Sequence, residues 1–245
     1  MKLRNALPIT LLAAALAACG GDDETRYVDR DDPTPVEYMP VDGYVLGFWV
    51  MDTQDGCDGP CINDHSPYGD PLYGLDADDQ PAAPTLTDGG EVGRVAAFAN
   101  DYRLVTRDTG SLNNSVIGER FTLHLRARTD QADAVPVLAL AGEGGTALRI
   151  SLARDRLLVE LPSQSRRLLT ALDAGDGWRE IQLAADGERV TLAVDCDTVE
   201  GFDVAPGVPV LSGSPLGAVV GAGFTGAVDL VRISRRDEGN LFCAD

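Results

Sequence analysis

Alternation of apolar and polar residues constrains the fold of this chain more than any other feature of its sequence. In residues 121–128 a phenylalanine, two leucines and an alanine occupy every second position, with threonine, histidine and arginines between them. Residues 190–195 repeat this pattern. Since successive side chains of a strand point to opposite faces, both segments predict strands with one apolar and one polar face.

Similar stretches continue through the chain after residue 41, separated by clusters of glycine, aspartate, asparagine and proline. The predicted strands are 44–51, 94–98, 102–106, 121–128, 135–141, 147–153, 156–161, 179–184, 189–195 and 226–234. Many short strands with turn signals and no long helical pattern predict an all-β fold, an antiparallel two-sheet sandwich. We expect it to form one domain over residues 41–245, which is long enough to bury a substantial core.

The N-terminus has the order of an export signal. Lys2 and Arg4 precede an uncharged apolar run over residues 6–18, whose 13 residues are too few to cross a bilayer. Residues 16–19, Leu-Ala-Ala-Cys, resemble the lipobox of bacterial lipoproteins. That resemblance implies a signal peptide over residues 1–18, cleavage before Cys19 and lipidation of its sulfur. The alternative is an ordinary signal peptide that is cut nearby.

Residues 19–40 are rich in acidic residues and proline and have almost no apolar periodicity. This composition predicts a disordered acidic tether that follows the lipidated Cys19. We therefore expect an exported protein, held by lipid in the bacterial cell envelope, at the outer membrane or the cell surface. Its folded domain would stand off the membrane at the end of the tether.

Net charge excludes one class of partner. The chain has 20 basic and 39 acidic residues, and removal of the signal peptide would leave 18 and 39, a net charge of −21. Such a protein repels nucleic acid and anionic lipid headgroups, so nonspecific binding to either is excluded. The predicted membrane contact is therefore made through the lipid anchor.

The chain has five cysteines: Cys19, Cys57, Cys61, Cys196 and Cys243. Lipidation of Cys19 accounts for the odd one, and an oxidising compartment would pair the other four. We predict one bridge between Cys57 and Cys61 and a second between Cys196 and Cys243, which would close a loop of 48 residues. A zinc site at Cys57 and Cys61 has weak support, because no second cysteine pair lies nearby.

Several segments resemble laminin-G-like domains. They are residues 47–52, 63–64, 93–102, 121–128, 177–183, 186–192 and 226–233. The setting of Cys196 and Cys243 is most similar to the thrombospondin N-terminal variant of these domains. The resemblance covers residues 44–243 and implies a concanavalin A-like lectin fold, a jelly roll. It does not assign a function, because this fold serves lectins, adhesins, enzymes and spacers.

The resemblance also implies a calcium site, since laminin-G-like domains often hold this ion at the sandwich rim with aspartates and backbone carbonyls. The matching positions are Asp52, Asn63, Asp64 and Asp229. Their oxygen atoms are the hard ligands that calcium prefers, which makes a structural calcium ion the candidate cofactor. The alternative is that these residues are turn formers and solvated acids, because the chain has 39 acidic residues.

A basic stripe is the first candidate ligand surface. Arg126 and Arg128 share one face of a predicted strand, and Arg149 on another strand is expected to join them. Guanidinium groups bind carboxylate and sulfate well, so the stripe could receive an anionic ligand. The alternative is pairing with carboxylates on neighbouring strands, Glu160, Glu180 or Asp195.

Aromatic residues give a second candidate surface. Tyr68 and Tyr73 lie in a proline-containing segment, residues 66–75, which we interpret as an exposed loop whose rings could stack on a sugar. Trp49 and Trp178 are expected to lie in the core.

The sequence offers little support for catalysis. It has no Glu-x-Asp-x-x-Glu arrangement of the kind that glycosidases place on one strand. Its histidines are His65 and His124, and no Gly-x-Ser-x-Gly motif accompanies them. We therefore expect a non-catalytic binding or adhesion module for a glycan or protein ligand. The alternatives are a structural envelope scaffold and, less favoured, a carbohydrate-active enzyme.

Overall fold

The structure is a computed structural model that describes residues 41–52, 59–107, 110–113, 119–142, 144–173, 177–212, 216–236 and 238. Within these ranges the chain forms sixteen strands, one short α-helix and two 3-10 turns. The strands are β1 (Val45–Val50), β2 (Cys61–Ile62), β3 (Leu72–Leu75), β4 (Thr85–Asp88), β5 (Arg94–Phe98), β6 (Arg103–Thr106), β7 (Arg120–Arg128), β8 (Val135–Gly142), β9 (Gly145–Ala153), β10 (Arg156–Leu161), β11 (Arg166–Ala171), β12 (Arg179–Asp186), β13 (Arg189–Val194), β14 (Asp197–Asp203), β15 (Leu216–Val220) and β16 (Gly226–Ser234). The helix is α1 (Gly110–Asn113), and the 3-10 turns are Gly90–Val92 and Pro162–Gln164.

The strands build two antiparallel sheets. The first sheet has the order β14-β13-β12-β7-β16-β5-β4, and β1 also pairs with β16. The second sheet has the order β11-β10-β9-β8-β15-β6-β3-β2. The predicted all-β, two-sheet architecture is therefore confirmed.

The core lies between the sheets because the alternating strands turn their apolar sides toward one another. On β7 the buried inward residues are Phe121, Leu123, Leu125 and Ala127. From the second sheet, Leu148, Ile150 and Leu152 of β9 enter the same cluster. The cluster also contains Trp49, which confirms its predicted place in the core.

Every strand predicted from the sequence is present, with ends that differ by a few residues at most. Prediction missed β2, β3, β4, β11, β14 and β15. Several of these are short or lie at a sheet edge, such as β4 and β14, where most side chains are exposed and the apolar pattern is weak. Segment 189–195 ends one residue early, because Asp195 and Cys196 have φ of 49° and 74° and form a two-residue hairpin turn.

Trp178 differs from its prediction. Its side chain is half-buried, and the indole N–H donates to the carbonyl of Gly89 at 3.0 Å. The Arg128 guanidinium lies 4.9 Å from its ring centroid. Trp178 therefore joins β12 to the turn after β4 instead of filling the core between the sheets.

Cys61 and Cys196 are both disulfide-bonded. Cys57 and Cys243 lie outside the described residues, so the pairings Cys57–Cys61 and Cys196–Cys243 stay predictions. Cys19, the predicted lipidation site, and the tether also lie outside them. In the part of the chain that the structure describes, no helix is both long and apolar enough to span a bilayer.

Candidate functional site

The outward faces of the two sheets differ in exposure. At the middle of the first sheet, the outward side chains are buried: His124 and Arg232 are 0% exposed and Gln182 is 7% exposed. On the second sheet, outward residues of the middle strands, such as Val105, Ala139 and Val219, are half-exposed. The middle of the second sheet is therefore more accessible to a partner than the middle of the first sheet.

A row of paired residues crosses this outer face from β3 to β11. In strand order its members are Tyr73, Val105, Val219, Ala139, Arg149, Glu160 and Arg167. Directly paired residues on neighbouring strands project from the same face of a sheet, so these side chains form one continuous surface. We call it the cross-sheet row. Its six steps between strands span ~29 Å, at ~4.8 Å for each step.

One end of the cross-sheet row is charged. Glu160 forms ion pairs with two arginines, with Arg149 at 3.4 Å and with Arg167 at 3.1 Å. The side chains of Arg149 and Arg167 are 43% and 69% exposed, whereas that of Glu160 is 22% exposed. Two guanidinium groups thus share one carboxylate at a surface that solvent reaches, and such exposed pairs are weak.

The other end is aromatic. Tyr73 lies in β3 and is half-buried, and the Arg107 guanidinium is 4.1 Å from its ring centroid. The predicted exposed loop over residues 66–75 therefore ends before Tyr73, whose ring packs against a cation. Between the two ends, Val105, Val219 and Ala139 provide a floor of short apolar side chains. The row can therefore receive an extended molecule along its length.

Tyr68 lies outside the row, in a loop that one carboxylate organises. Its side chain is 37% exposed, as predicted. Oδ1 of Asp64 accepts from the backbone N–H groups of Phe48 and Ser66, both at 2.8 Å. Oδ2 accepts from the Ser66 hydroxyl at 2.7 Å and the Asp70 N–H at 2.8 Å. These four bonds fix the chain on both sides of Tyr68.

Burial determines the protonation behaviour of Asp64. Removal from water raises the pKa of its carboxyl above the usual value of 3.8, and the four donors oppose this shift. Asp70 extends the same structure, because its carbonyl accepts from the Trp49 indole at 2.9 Å and its carboxylate from the Ser111 N–H at 2.9 Å. The loop is thereby tied to the core and to α1.

The predicted basic stripe does not form. Arg126 and Arg128 lie on β7 in the first sheet, whereas Arg149 lies on β9 in the second, so the arginines occupy different outer faces. The alternative, pairing with carboxylates on neighbouring strands, is what the structure shows for two of these arginines. Arg126 contacts Glu180 at 2.5 Å, and Arg149 contacts Glu160. Of the three, only Arg149 belongs to the cross-sheet row, together with Tyr73 from the other candidate surface.

The structure brings two of the predicted calcium ligands close together. β1 pairs with β16, and the Met51 N–H, next to Asp52, donates to the Asp229 carbonyl at 2.7 Å. Both aspartates are buried, and the Arg126 guanidinium lies 3.3 Å from Oδ2 of Asp229. A cation at this carboxylate disfavours a second cation beside it.

Asp64 is also poorly suited to calcium, because its oxygens already accept four hydrogen bonds. Asn63 is half-buried at the start of the same loop. Among the described residues, no group of three or more His, Cys, Asp or Glu side chains could hold a metal ion. The donor set thus does not fit the ion well, and the calcium site stays a prediction.

Sequence reasoning missed the row as a unit. No sequence pattern marked four of its members as part of a binding surface: Val105, Ala139, Val219 and Arg167. Glu160 was expected only as a carboxylate that pairs with an arginine. Their common position depends on strand order, since β15 inserts between β6 and β8. A local sequence pattern does not contain that order.

No family model and no curated protein matches this sequence. Solved structures do resemble it. The binding domain of botulinum neurotoxin DC, determined in complex with rat synaptotagmin II, has a TM-score of 0.56 and 7% identity, over 79% of this chain and 48% of that one. The binding domain of botulinum neurotoxin serotype G has a TM-score of 0.53 and 10% identity, over 78% and 48%.

This chain spans about half the length of those two structures. At such low identity the likeness shows the fold alone. The protein is a β-sandwich, a fold that it shares with these two binding domains.

Proposed function

We propose that this protein is a non-catalytic binding module of the bacterial cell envelope, anchored through a lipidated Cys19, which recognises a glycan or protein ligand. The cross-sheet row carries the proposal. It is an accessible, continuous surface on a rigid sheet, with an aromatic side chain at one end and hydrogen-bonding charged groups at the other. Apolar surface with a few oriented polar groups is the composition that ligand sites favour.

The chemistry of the row favours binding over hydrolysis. Glycosidases need two carboxyl groups that flank the scissile bond, one of them as a proton donor. The row contains one carboxylate, Glu160, which forms ion pairs with Arg149 and Arg167. A single carboxylate that is engaged with two arginines does not supply the pair of carboxyl groups that this reaction needs.

The proposal also includes the structural group of the domain and its position relative to the membrane. The β-sandwich fold supports membership of the laminin-G-like group that the sequence resembles, with its jelly-roll topology. In this arrangement the tether over residues 19–40 holds the domain away from the membrane, and the outer face of the second sheet meets the ligand. Fold alone does not assign such a role, so binding itself has to be measured.

The test is binding of the purified chain, residues 19–245 with Cys19 replaced by Ser, to a glycan array and to solubilised envelope proteins. The Tyr73→Ala variant should lose most of the binding signal for any ligand that the wild-type protein binds. Tyr44→Ala is the matched control, since Tyr44 is 50% exposed and precedes β1 in the first sheet.

Equal binding by wild type and Tyr73→Ala would contradict the assignment of the row. Binding to no glycan and no envelope protein would favour the structural scaffold. Turnover of a polysaccharide that one Glu or Asp substitution abolishes would show an enzyme instead.

A further inference from the structure

Charge is distributed unequally between the two sheets. The strands of the second sheet contain five arginines, Arg103, Arg149, Arg156, Arg166 and Arg167, and a single acid, Glu160. The strands of the first sheet contain seven arginines and seven acids. In a chain with 39 acidic and 20 basic residues, the second sheet is thus a local exception.

Some of this positive charge is compensated from the turns, and some is not. Arg103 pairs with Asp79, and Arg156 pairs with Asp155. At the charged end of the cross-sheet row, however, Arg149 and Arg167 share Glu160, which leaves one positive charge in excess. Arg107 adds another cation at the opposite end, beside Tyr73.

The row is also long and flat in its middle. Tyr73 and Arg149 are separated by Val105, Val219 and Ala139, a distance of four strand steps or ~19 Å. These short side chains leave room above the sheet, whereas larger residues stand at both ends. A linear molecule can therefore lie across the strands and touch both ends at once, but a compact ligand cannot.

From these observations we infer that the ligand of the cross-sheet row is an unbranched, carboxylated polysaccharide that lies across the strands, with its carboxylates at Arg149, Arg167 and Arg107. This inference rests on the proposed binding function and names its ligand class. Guanidinium groups bind carboxylates in paired hydrogen bonds, and a ligand carboxylate competes with Glu160 for two exposed arginines. The apolar floor receives the faces of the sugar rings between them.

The test uses oligogalacturonates of increasing length, and their fully methyl-esterified forms as uncharged chains of the same backbone. Calorimetry at physiological ionic strength measures the dissociation constants, since lower salt would exaggerate repulsion from the acidic remainder of the protein. We expect affinity to rise with length until the chain spans the row and then to level off. The esterified chains should bind at least about tenfold more weakly.

Two variants move affinity in opposite directions. Arg149→Gln should weaken binding of the long acidic chain about fivefold and reduce its salt dependence. Glu160→Gln should strengthen binding about threefold, because it removes the competing carboxylate, and loss of folding would not produce such a gain. The matched control is Arg189→Gln, a half-exposed arginine paired with Asp203 at 2.7 Å on the first sheet, which should change nothing.

Equal affinity for acidic and esterified chains, or unchanged binding in both Arg149→Gln and Glu160→Gln, would overturn the inference. If the chains bound in these experiments and Tyr73→Ala abolished that binding, the proposed binding function would stand. Its ligand would then be a neutral molecule. If no oligogalacturonate bound but an envelope protein bound through the same row, the inferred ligand class would be wrong. The proposed binding function would still stand.

Discussion

Arg232 and Glu238 form a two-fold hydrogen-bonded ion pair in the interior of the protein. Nε and Nη2 of the arginine donate to the two carboxylate oxygens at 2.9 and 2.8 Å, and the side chains are 0% and 1% exposed. The pair joins the central strand β16 to the segment that follows it, where the Glu238 N–H also donates to the Thr122 hydroxyl at 3.0 Å.

Glu238→Gln should therefore destabilise the fold strongly. The substitution leaves the buried Arg232 charge without its carboxylate, and breaking a buried pair in this way costs about 3–5 kcal/mol. Urea unfolding measures the change. Asp203→Asn is the control, because it breaks the exposed pair with Arg189 and should cost less than about 1 kcal/mol. Similar effects of both variants would contradict the importance of burial.

Asp64 should make stability depend on pH in an unusual direction for an aspartate. Burial raises the pKa of its carboxyl in the folded state above the unfolded value of 3.8. The folded protein therefore holds this proton more tightly, so the contribution is fully present below 3.8 and is lost as pH rises through the folded pKa.

The measurement compares the free energy of unfolding of wild type and Asp64→Asn at several acidic and neutral pH values. The difference in unfolding free energy between the two proteins should change as pH rises from 3.8 through the folded pKa of Asp64. Asp64 should favour the folded state more at lower pH. Asp186 supplies a contrast, because backbone hydrogen bonds lower the pKa of its carboxyl. A difference that is constant with pH would contradict the prediction for Asp64.

Gly47 should tolerate no side chain. A Cβ atom at this position would lie 2.2 Å from Cη2 of Trp49, which is buried in the core. Gly47→Ala should lower stability by about 1–3 kcal/mol or more through overpacking. Gly43→Ala is the matched control, because a Cβ atom added there would have no atom within 4 Å. Thermal unfolding of both variants decides the point, and equal melting temperatures would refute it.

The predicted bridges can be mapped directly. Non-reducing peptide mapping should find Cys57 joined to Cys61 and Cys196 joined to Cys243. Loss of the second bridge through Cys243→Ser should cost about 2–5 kcal/mol, because it closes the longer loop. A free thiol in the oxidised protein, or Cys57 joined to Cys196, would show that the pairing is wrong.

The anchor is tested in cells. Cys19→Ala should abolish incorporation of labelled lipid and leave the precursor uncleaved, because the modified sulfur directs lipoprotein processing. A variant with Cys57→Ala should still be labelled normally. Lipid incorporation into the Cys19→Ala protein would contradict the lipoprotein assignment.

Much of the fold could be predicted because it is local. In β7, the period of two between Phe121 and Ala127 identifies both the strand and its buried face, and neither depends on any other segment. The same holds for β13. Strands without this pattern were not predicted. An example is β14, which lies at a sheet edge, has mostly exposed side chains and therefore needs few apolar residues.

The candidate site depended on tertiary structure. From sequence, Arg149 could lie beside Arg126 as easily as beside Tyr73, since alternation gives a residue's face within its strand but not the neighbours of that strand. Insertion of β15 between β6 and β8 decides the matter. It places Val219 between Val105 and Ala139 and so completes the surface from Tyr73 to Arg149.

The sequence by itself determined that the chain forms a two-sheet β-sandwich and which side of its clearly alternating strands, β7 and β13, is buried. The tertiary structure decided which outer face is accessible and which distant residues share it. The physical reason is that hydrophobic periodicity is a property of one segment, whereas a surface across a sheet is produced by hydrogen-bonded pairing between segments far apart in the chain.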